Sequence, residues 1–204
     1  MKTASEEKFD KIIKAFHFRL KPLGFKKKGN NFYLQKIGFG QHINFQKSPW
    51  RSKDDISFTI NTGVFLPSFW STLDYNAGLP IPDFPSETQC VLRKRIGQLM
   101  NDLDTWWDVN DKTNLDELTS LQLSLFDKVI LPHFDFMKTL DNVKDLVNRQ
   151  PYSGIPPYEK MIALGELGDN KNAQVEYDKL KHEFRHNKEW LDTVDKYAKK
   201  YGLK

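Results

Sequence analysis

The chain has 204 residues, 13% of them aromatic and 28% charged, and a formal net charge of +4. This composition is typical of a globular protein that can bury a core, and no stretch approaches the roughly 18 apolar residues that a membrane-spanning helix needs. The first residues lack the apolar stretch of a signal peptide, and the single cysteine, Cys90, excludes an internal disulfide. We therefore expect a cytoplasmic protein without a membrane partner.

Basic residues are concentrated at the start of the chain. Residues 1–53 contain 13 Lys and Arg against 3 acidic side chains, whereas acidic side chains outnumber basic ones in the remainder. Such a segment can attract an anionic partner, although lysines that only solvate the first helix would give the same pattern. Nucleic-acid binders usually have a larger overall excess of basic charge, so nucleic acid is a possible partner but not the favoured one.

The first predicted element is an amphipathic helix. Ser5 is a suitable N-cap, and the two glutamates after it stand where a helix dipole favours acidic groups. Pro22 and Gly24 end the helix. Apolar residues at three- and four-residue spacing form one face, which we expect to pack on a sheet: Phe9, Ile12, Ile13, Phe16 and Leu20.

Three strands are predicted next, at residues 31–36, 41–47 and 55–65, with a tight turn at 38–40. Side chains in a strand point alternately to opposite faces, and apolar and polar residues alternate here. The apolar members should line the core: Ile43, Phe45, Ile56, Phe58 and Ile60. The polar members should stand together on the other face: His42, Asn44, Gln46, Ser57, Thr59 and Asn61.

Residues 66–89 have a different composition, in which four prolines are interleaved with four aromatic residues. A loop of this length inside a compact domain is usually functional or is held down by its own side chains. The aromatic residues favour a loop that is pinned to the body of the protein. The alternative is a lid or a recognition loop.

Residues 88–103 fit two patterns. A capping box at Ser86 and Gln89, followed by apolar residues at helical spacing, predicts a helix, although Gly97 weakens this interpretation. Read as a strand, the same segment places Arg93 and Arg95 on one face. Periodicity alone does not decide between them.

The remainder of the chain has a helical pattern. An apolar stripe begins near Leu115 and runs to Pro132, which must break or kink the helix, and a second helix follows at about 139–149. Prolines and a glycine in residues 151–157 predict a linker. Three more helices are predicted after it, at residues 158–167, 170–184 and 188–201.

This pattern divides the chain into two parts. Residues 1–150 form the predicted α+β core, and residues 151–204 form a helical extension that is packed on the core or appended to it.

A series of short segments, spread in order over about residues 5–140, carries a family resemblance: residues 20–27, 31–33, 43–48, 58–64, 93–99 and 104–107, together with Cys90. By these segments the chain resembles the bacterial family of uncharacterised proteins called domain of unknown function 4304. The family has no established activity. The resemblance implies a strand at 90–99 and a following strand with Trp106 and Trp107, which would put both arginines beside the polar face.

Residues 182–186 match the H-E-x-x-H pattern, in which two histidines one helical turn apart bind zinc. Only 18 residues follow His186, and the charged residues around the motif do not supply the apolar packing of a catalytic helix. We therefore predict no metal site and no cofactor.

Two further chemical interpretations are possible. Cys90 with His42 would give a nucleophile and its base, but a buried structural cysteine is the favoured interpretation. Trp106 and Trp107 suit stacking on a base or sugar ring, but alternation places at least one of the two rings in the core, and packing of both rings in the core is the favoured interpretation.

The predicted fold is therefore α+β, with an N-terminal helix, an antiparallel sheet of four to five strands and a helical C-terminal part. The predicted function is a non-catalytic binding module whose polar sheet face takes a polar or anionic partner, such as another protein. The alternative is an enzyme on a phosphate-bearing or nucleic-acid substrate, with arginines that clamp phosphate and a histidine as acid or base. We assign seven ligand-binding residues and no catalytic one: His42, Asn44, Gln46, Asn61, Arg93, Arg95 and Trp106.

Overall fold

The computed structural model describes residues 1–100, 104–149 and 155–204. The strands are β1 (Lys26–Lys28), β2 (Asn31–Gln35), β3 (Gly40–Lys47), β4 (Ile56–Phe65), β5 (Leu92–Arg95) and β6 (Trp107–Val109). The helices are α1 (Ala4–Leu20), α2 (Pro67–Thr72), α3 (Ile96–Leu99), α4 (Leu115–Leu125), α5 (Leu131–Phe136), α6 (Leu140–Arg149), α7 (Pro157–Glu166), α8 (Asn170–Glu183) and α9 (Lys188–Lys200). The predicted α+β class is confirmed.

The sheet is antiparallel throughout, in the spatial order β1-β2-β3-β4-β5, and β6 pairs with the first residues of β4. The alternating sequence correctly predicted β2, β3 and β4. The strand that the sequence did not predict is β1, because it consists of three exposed lysines and has no apolar alternation. Lysines on an edge strand discourage pairing with other chains, which explains why such a strand is tolerated.

Helix α1 packs on the apolar face of the sheet, as predicted. The Phe9 ring lies 5.3 Å from Phe58 and the Phe16 ring lies 4.6 Å from Phe45, both edge to face. Phe9 and Phe16 are completely buried. Side chains of α1, the sheet and the C-terminal helices belong to one continuous apolar core.

The N-cap of α1 is Thr3 and not Ser5. The Thr3 hydroxyl accepts from the backbone N–H of Glu6, and the Glu6 carboxylate accepts from the backbone N–H of Thr3, which together form a capping box. The Ser5 hydroxyl is free to donate to the Asp54 carbonyl at 2.7 Å. The predicted cap is therefore two residues too far along the chain, because the reciprocal hydrogen bonds with Glu6 select Thr3.

The segment that fitted both a strand and a helix contains one after the other. Residues 92–95 form β5, as the family resemblance implies, and Ile96–Leu99 forms α3. Residues 66–89 are not a plain loop, because α2 begins with Pro67 and two short 3-10 turns follow. The capping box at Ser86 is present, but it caps one of these turns instead of a long helix.

The C-terminal helices follow the predicted bounds closely. The chain stays helical across Pro132. A π-helical turn at Phe126–Ile130 leads into α5, and Pro132 stands in the first turn of α5, where the missing N–H of proline is tolerated. The predicted linker falls largely outside the described residues. Across the parts of the chain that the structure describes, no helix is long and apolar enough to cross a membrane.

Candidate functional site

Polar side chains from three strands meet on the sheet face opposite α1. In the antiparallel register Asn44 of β3 lies opposite Asn61 of β4, and Asn61 lies opposite Arg95 of β5. Gln46 is two residues from Asn44 along β3, so it points to the same face. The alternation that buries the isoleucines and phenylalanines therefore aligns these polar groups in a row.

The amides of this row form a hydrogen-bonded chain, which we call the amide ladder (Asn31, Asn44, Gln46 and Asn61). Asn61 Nδ2 donates to Asn44 Oδ1 at 3.1 Å and to Gln46 Oε1 at 2.8 Å. Asn44 Nδ2 donates in turn to Asn31 Oδ1 at 2.8 Å. Each amide thus restricts the rotamer of its neighbour. Gln46 enters the ladder through its oxygen, so its two N–H donors are not part of it.

The ladder borders an open groove with a volume of about 270 Å³, which we call the polar groove. Four of the residues assigned from the sequence line it: Gln46, Asn61, Arg93 and Arg95. Four further lining residues were not assigned: Glu87, Lys94, Gln98 and Asp104. The groove therefore collects amides and charges of both signs around one concave surface.

Each arginine of the polar groove is held by a carboxylate. Arg93 donates through Nε and Nη2 to the two oxygens of Glu87, at 2.6 and 3.0 Å. Arg95 Nη1 donates to Asp104 at 2.8 Å, and its guanidinium lies 5.2 Å from the centre of the Trp106 ring. Trp106 therefore acts on the groove through Arg95. The guanidinium planes are thereby fixed in direction.

These pairs set the electrostatics of the groove. The hydrogen bond from Arg93 to Glu87 raises the pKa of Arg93. Hydrogen bonds from Trp106 and Arg95 lower the pKa of the Asp104 carboxyl, so it stays ionised. Because each arginine has a carboxylate neighbour, the two guanidinium groups offer directed hydrogen-bond donors instead of a strong positive field.

His42 lies on the same face of the sheet, as the alternation predicts, but it does not line the open groove. It is completely buried, with the Tyr33 and Phe84 rings 6.4 and 6.2 Å from its own. Phe84 comes from the aromatic segment 66–89, which covers this half of the polar face. Neither ring nitrogen of His42 makes a hydrogen bond within the described chain, and burial lowers the pKa of His42 to about 4.

Cys90 lies in the same covered half and is buried, as predicted. It packs with the aromatic rings of Tyr33, Phe65 and Trp70. Burial raises the pKa of the Cys90 thiol, with a smaller contribution from the Glu87 carboxylate, so the thiolate form is disfavoured. The thiol donates a long hydrogen bond of 3.7 Å to the Ser86 carbonyl. This arrangement is that of a structural cysteine.

The H-E-x-x-H string does not have the geometry of a helical zinc motif. Helix α8 ends at Glu183, so His186 lies beyond the helix that carries His182. Arg185 donates to the His182 backbone carbonyl at 2.9 Å, and both histidines are exposed. Among the described residues, no three His, Cys, Asp or Glu side chains are placed together to hold a metal ion.

Two tryptophans near the groove have different environments. Trp107 lies opposite Phe58 in the sheet and its ring packs 5.8 Å from that of Phe58, against the core. Trp106 lies against the Arg95 guanidinium. Trp107 thus packs against the core as predicted, whereas Trp106, for which packing in the core was also favoured, lies against Arg95 instead.

The sequence contained a weak signal for one groove residue that was missed. The Ser86 capping box fixes the turn that carries Glu87, and Glu87 stands six residues before its partner Arg93. Asp104 follows α3 closely in sequence, but only the tertiary structure shows that it meets Arg95.

The chain is similar to one known protein family, whose function is unknown. The comparisons with curated proteins and with solved structures gave no match. The family model described as Domain of unknown function (DUF4304) matches residues 16–135, which is more than half of the chain and includes β1 to β6 and the polar groove. The chain therefore belongs to the DUF4304 family.

Proposed function

We propose that the protein is a non-catalytic binding module, and that its polar groove takes a polar or acidic surface segment of another protein. The observation that carries this proposal is the amide ladder, which holds Asn61 and Gln46 in place beside two arginines. A row of fixed amides offers donors and acceptors at defined positions. Such groups suit a partner with complementary hydrogen bonds.

Preorganisation supports this function. Side chains that are already ordered lose little conformational entropy when a partner binds, so more of the interaction energy contributes to affinity. Both arginines are ordered by carboxylates, and their guanidinium groups retain further N–H donors for a partner oxygen. A partner carboxylate would share these arginines with Glu87 and Asp104. We therefore expect selectivity by geometry instead of strong affinity for any anion.

The environment of His42 favours binding over the catalytic alternative. That alternative needs His42 as an acid or base in contact with substrate, whereas the ring is buried beneath Phe84. Its pKa of about 4 also leaves the imidazole neutral and poorly basic near neutral pH. We propose the cytoplasm as the location, because a buried unpaired thiol suits a reducing compartment.

The test is a comparison of three purified baits in affinity capture from cells that express the natural protein. The groove variant carries Gln46→Ala and Arg95→Ala. The matched control carries Asn148→Ala and Lys21→Ala, which also removes one amide and one positive charge but from exposed positions outside the groove. A captured protein is then purified and its affinity for each bait is measured by calorimetry.

The expected result is a partner that binds the wild type and the control equally and the groove variant at least about tenfold more weakly, as for loss of a charged hydrogen bond. The melting temperatures of the three baits should agree within a few degrees. Equal affinity for all three baits would show that the groove is not the binding surface.

A further inference from the structure

A second concave surface lies between the segment that follows α2 and the C-terminal helices. Its volume is about 420 Å³, and it shares no lining residue with the polar groove. Four aromatic side chains line it, and we call it the aromatic cleft: Tyr75, Tyr158, Trp190 and Tyr197. Tyr75 and Trp190 are 67% and 45% exposed, so a ligand reaches their rings from solvent.

The rings of the cleft stand at steep angles to one another. Tyr158 lies 6.3 Å from Trp190 with 69° between the ring planes, and 6.0 Å from Tyr197 with 50° between them. Rings that fill a core together leave no space between them, whereas these border an open volume. The rings therefore border the open volume with their planes at different angles.

The walls are held in place by contacts outside the cleft. Phe184 stacks on Trp190 at 5.3 Å with only 14° between the planes, which supports the indole from one side. The backbone N–H of Asp74 donates to the Tyr197 hydroxyl at 3.1 Å. Lys196 donates to the Asp74 carboxylate at 2.7 Å and fixes the same segment. The cleft is thus formed before any ligand arrives.

The charges around the cleft favour a cation. Glu189 lines it and carries a negative charge, while the charge of Asp74 is balanced by Lys196. Burial, with a smaller contribution from the Glu159 carboxylate, raises the pKa of both Tyr75 and Tyr158, so both phenols stay neutral.

We propose that the aromatic cleft is a binding site for an alkylammonium cation. Aromatic faces attract cations through their quadrupole, and this attraction is strongest for a weakly hydrated ammonium that carries methyl groups. Several rings and one carboxylate around an open space are the groups that such a cation requires. The proposal is independent of the polar groove, because the two surfaces have different residues and opposite ligand preferences.

The direct test uses choline as the probe and 3,3-dimethyl-1-butanol as its uncharged isostere, in calorimetric titrations of the full chain. Choline should bind measurably, and the isostere should bind at least about tenfold more weakly, because it has the same shape without the charge. Equal binding of the two compounds, or no binding of choline up to tens of millimolar, would overturn the proposal.

Variants connect the binding to the cleft. Trp190→Ala should weaken choline binding about tenfold, and Tyr75→Ala about threefold, whereas Tyr75→Phe keeps the ring and should bind like the wild type. Trp50→Ala is the matched control, since Trp50 is 91% exposed and does not line the cleft. Tyr75 is also largely exposed, so its loss tests the site even if Trp190→Ala alters the fold. Unchanged affinity in Tyr75→Ala and Trp190→Ala would refute the assignment.

Charge gives a further independent readout. Glu189→Gln should weaken choline binding severalfold and should leave binding of the neutral isostere unchanged, because only the cation loses an electrostatic partner.

A peptide with trimethyl-lysine, compared with the same peptide bearing unmodified lysine, distinguishes the source of the cation. Preference for the methylated peptide over choline indicates a protein side chain as the ligand, and the reverse preference indicates a small molecule.

Discussion

The polar face of the sheet has two halves that obey the same alternation and have opposite environments. In the covered half, His42 and Gly63 lie opposite each other beneath Phe84 and Cys90 and are shielded from water. In the open half, Gln46 and Arg95 border the polar groove. The difference arises from the aromatic segment 66–89, which folds over one end of the sheet. Alternation therefore determines which face a side chain occupies, and the segment 66–89 determines whether that part of the face is exposed to solvent.

The apolar face supplies the reference for both halves. Phe16 is completely buried and packs against Phe45 and Phe126, so Phe16→Ala should lower the free energy of unfolding by about 3–5 kcal/mol. Phe18 on the same helix is 70% exposed, and Phe18→Ala should change it by no more than about 0.5 kcal/mol. Urea unfolding followed by circular dichroism measures both. A small loss for Phe16→Ala would show that α1 does not pack as described.

The covered half should make the protein sensitive to acid. The pKa of His42 is about 4 in the folded chain and 6.5 without the burial, so the unfolded state binds more protons between these values. The folded state should thus lose stability as the pH falls from about 6.5 to about 4, by on the order of 3 kcal/mol. This stability is fully present above pH 6.5.

The variant His42→Leu should flatten that part of the pH profile. Burial, with the nearby Lys94 charge, also lowers the pKa of His133 to about 4, so His133→Leu should remove a further part. Urea unfolding from pH 7 to pH 4 measures the slopes. A profile that His42→Leu leaves unchanged would mean that the ring is accessible and that the two halves do not differ as described.

Close packing distinguishes the covered half in a second way. A Cβ added at Gly63 would lie 2.7 Å from the Cys90 sulfur, so Gly63→Ala should cost about 1–3 kcal/mol through overpacking. Adding Cys90→Ala should recover part of that loss, because the sulfur is removed and the Cys90 Cβ, at 2.9 Å, remains. A double-mutant cycle from urea unfolding gives the coupling. Additive effects of the two substitutions would mean that Cys90 lies farther from Gly63 than described.

The sequence predicted the strands of the sheet better than it predicted the segment 66–89, which covers one end of the sheet. Two-residue alternation is a local property, and it correctly located β2, β3, β4 and the face of α1. Local periodicity could not decide between helix and strand for 92–99, since the segment contains one after the other, and the family resemblance was needed there.

The groove shows the same limit. The burial of His42 and the pairs Arg93–Glu87 and Arg95–Asp104 depend on where turns and loops return to the sheet. Residue types and spacing contain little information about where a turn or loop contacts the sheet. The amides on β3 and β4 were assigned to one surface because the strands themselves align them.

The open half should tolerate change best. Asn44 is half-buried at the edge of the polar groove, and Asn44→Ala removes its hydrogen bonds to Asn31 and Asn61. Asn61 keeps Gln46 as an acceptor at 2.8 Å, so no buried donor loses its last partner. The expected loss in free energy of unfolding is therefore about 0.5–1 kcal/mol, near the net value of one hydrogen bond.

Asn61→Ala is the matched comparison for the same ladder. Asn61 is only 4% exposed and supplies the donor for both Asn44 and Gln46, so its removal should cost more than that of Asn44, by about 1 kcal/mol. Urea unfolding of both variants and of the double variant gives their coupling. If Asn44→Ala were as costly as Gly63→Ala, the open half would be packed like the covered half, and the groove would be a structural seam between strands instead of a surface for a partner.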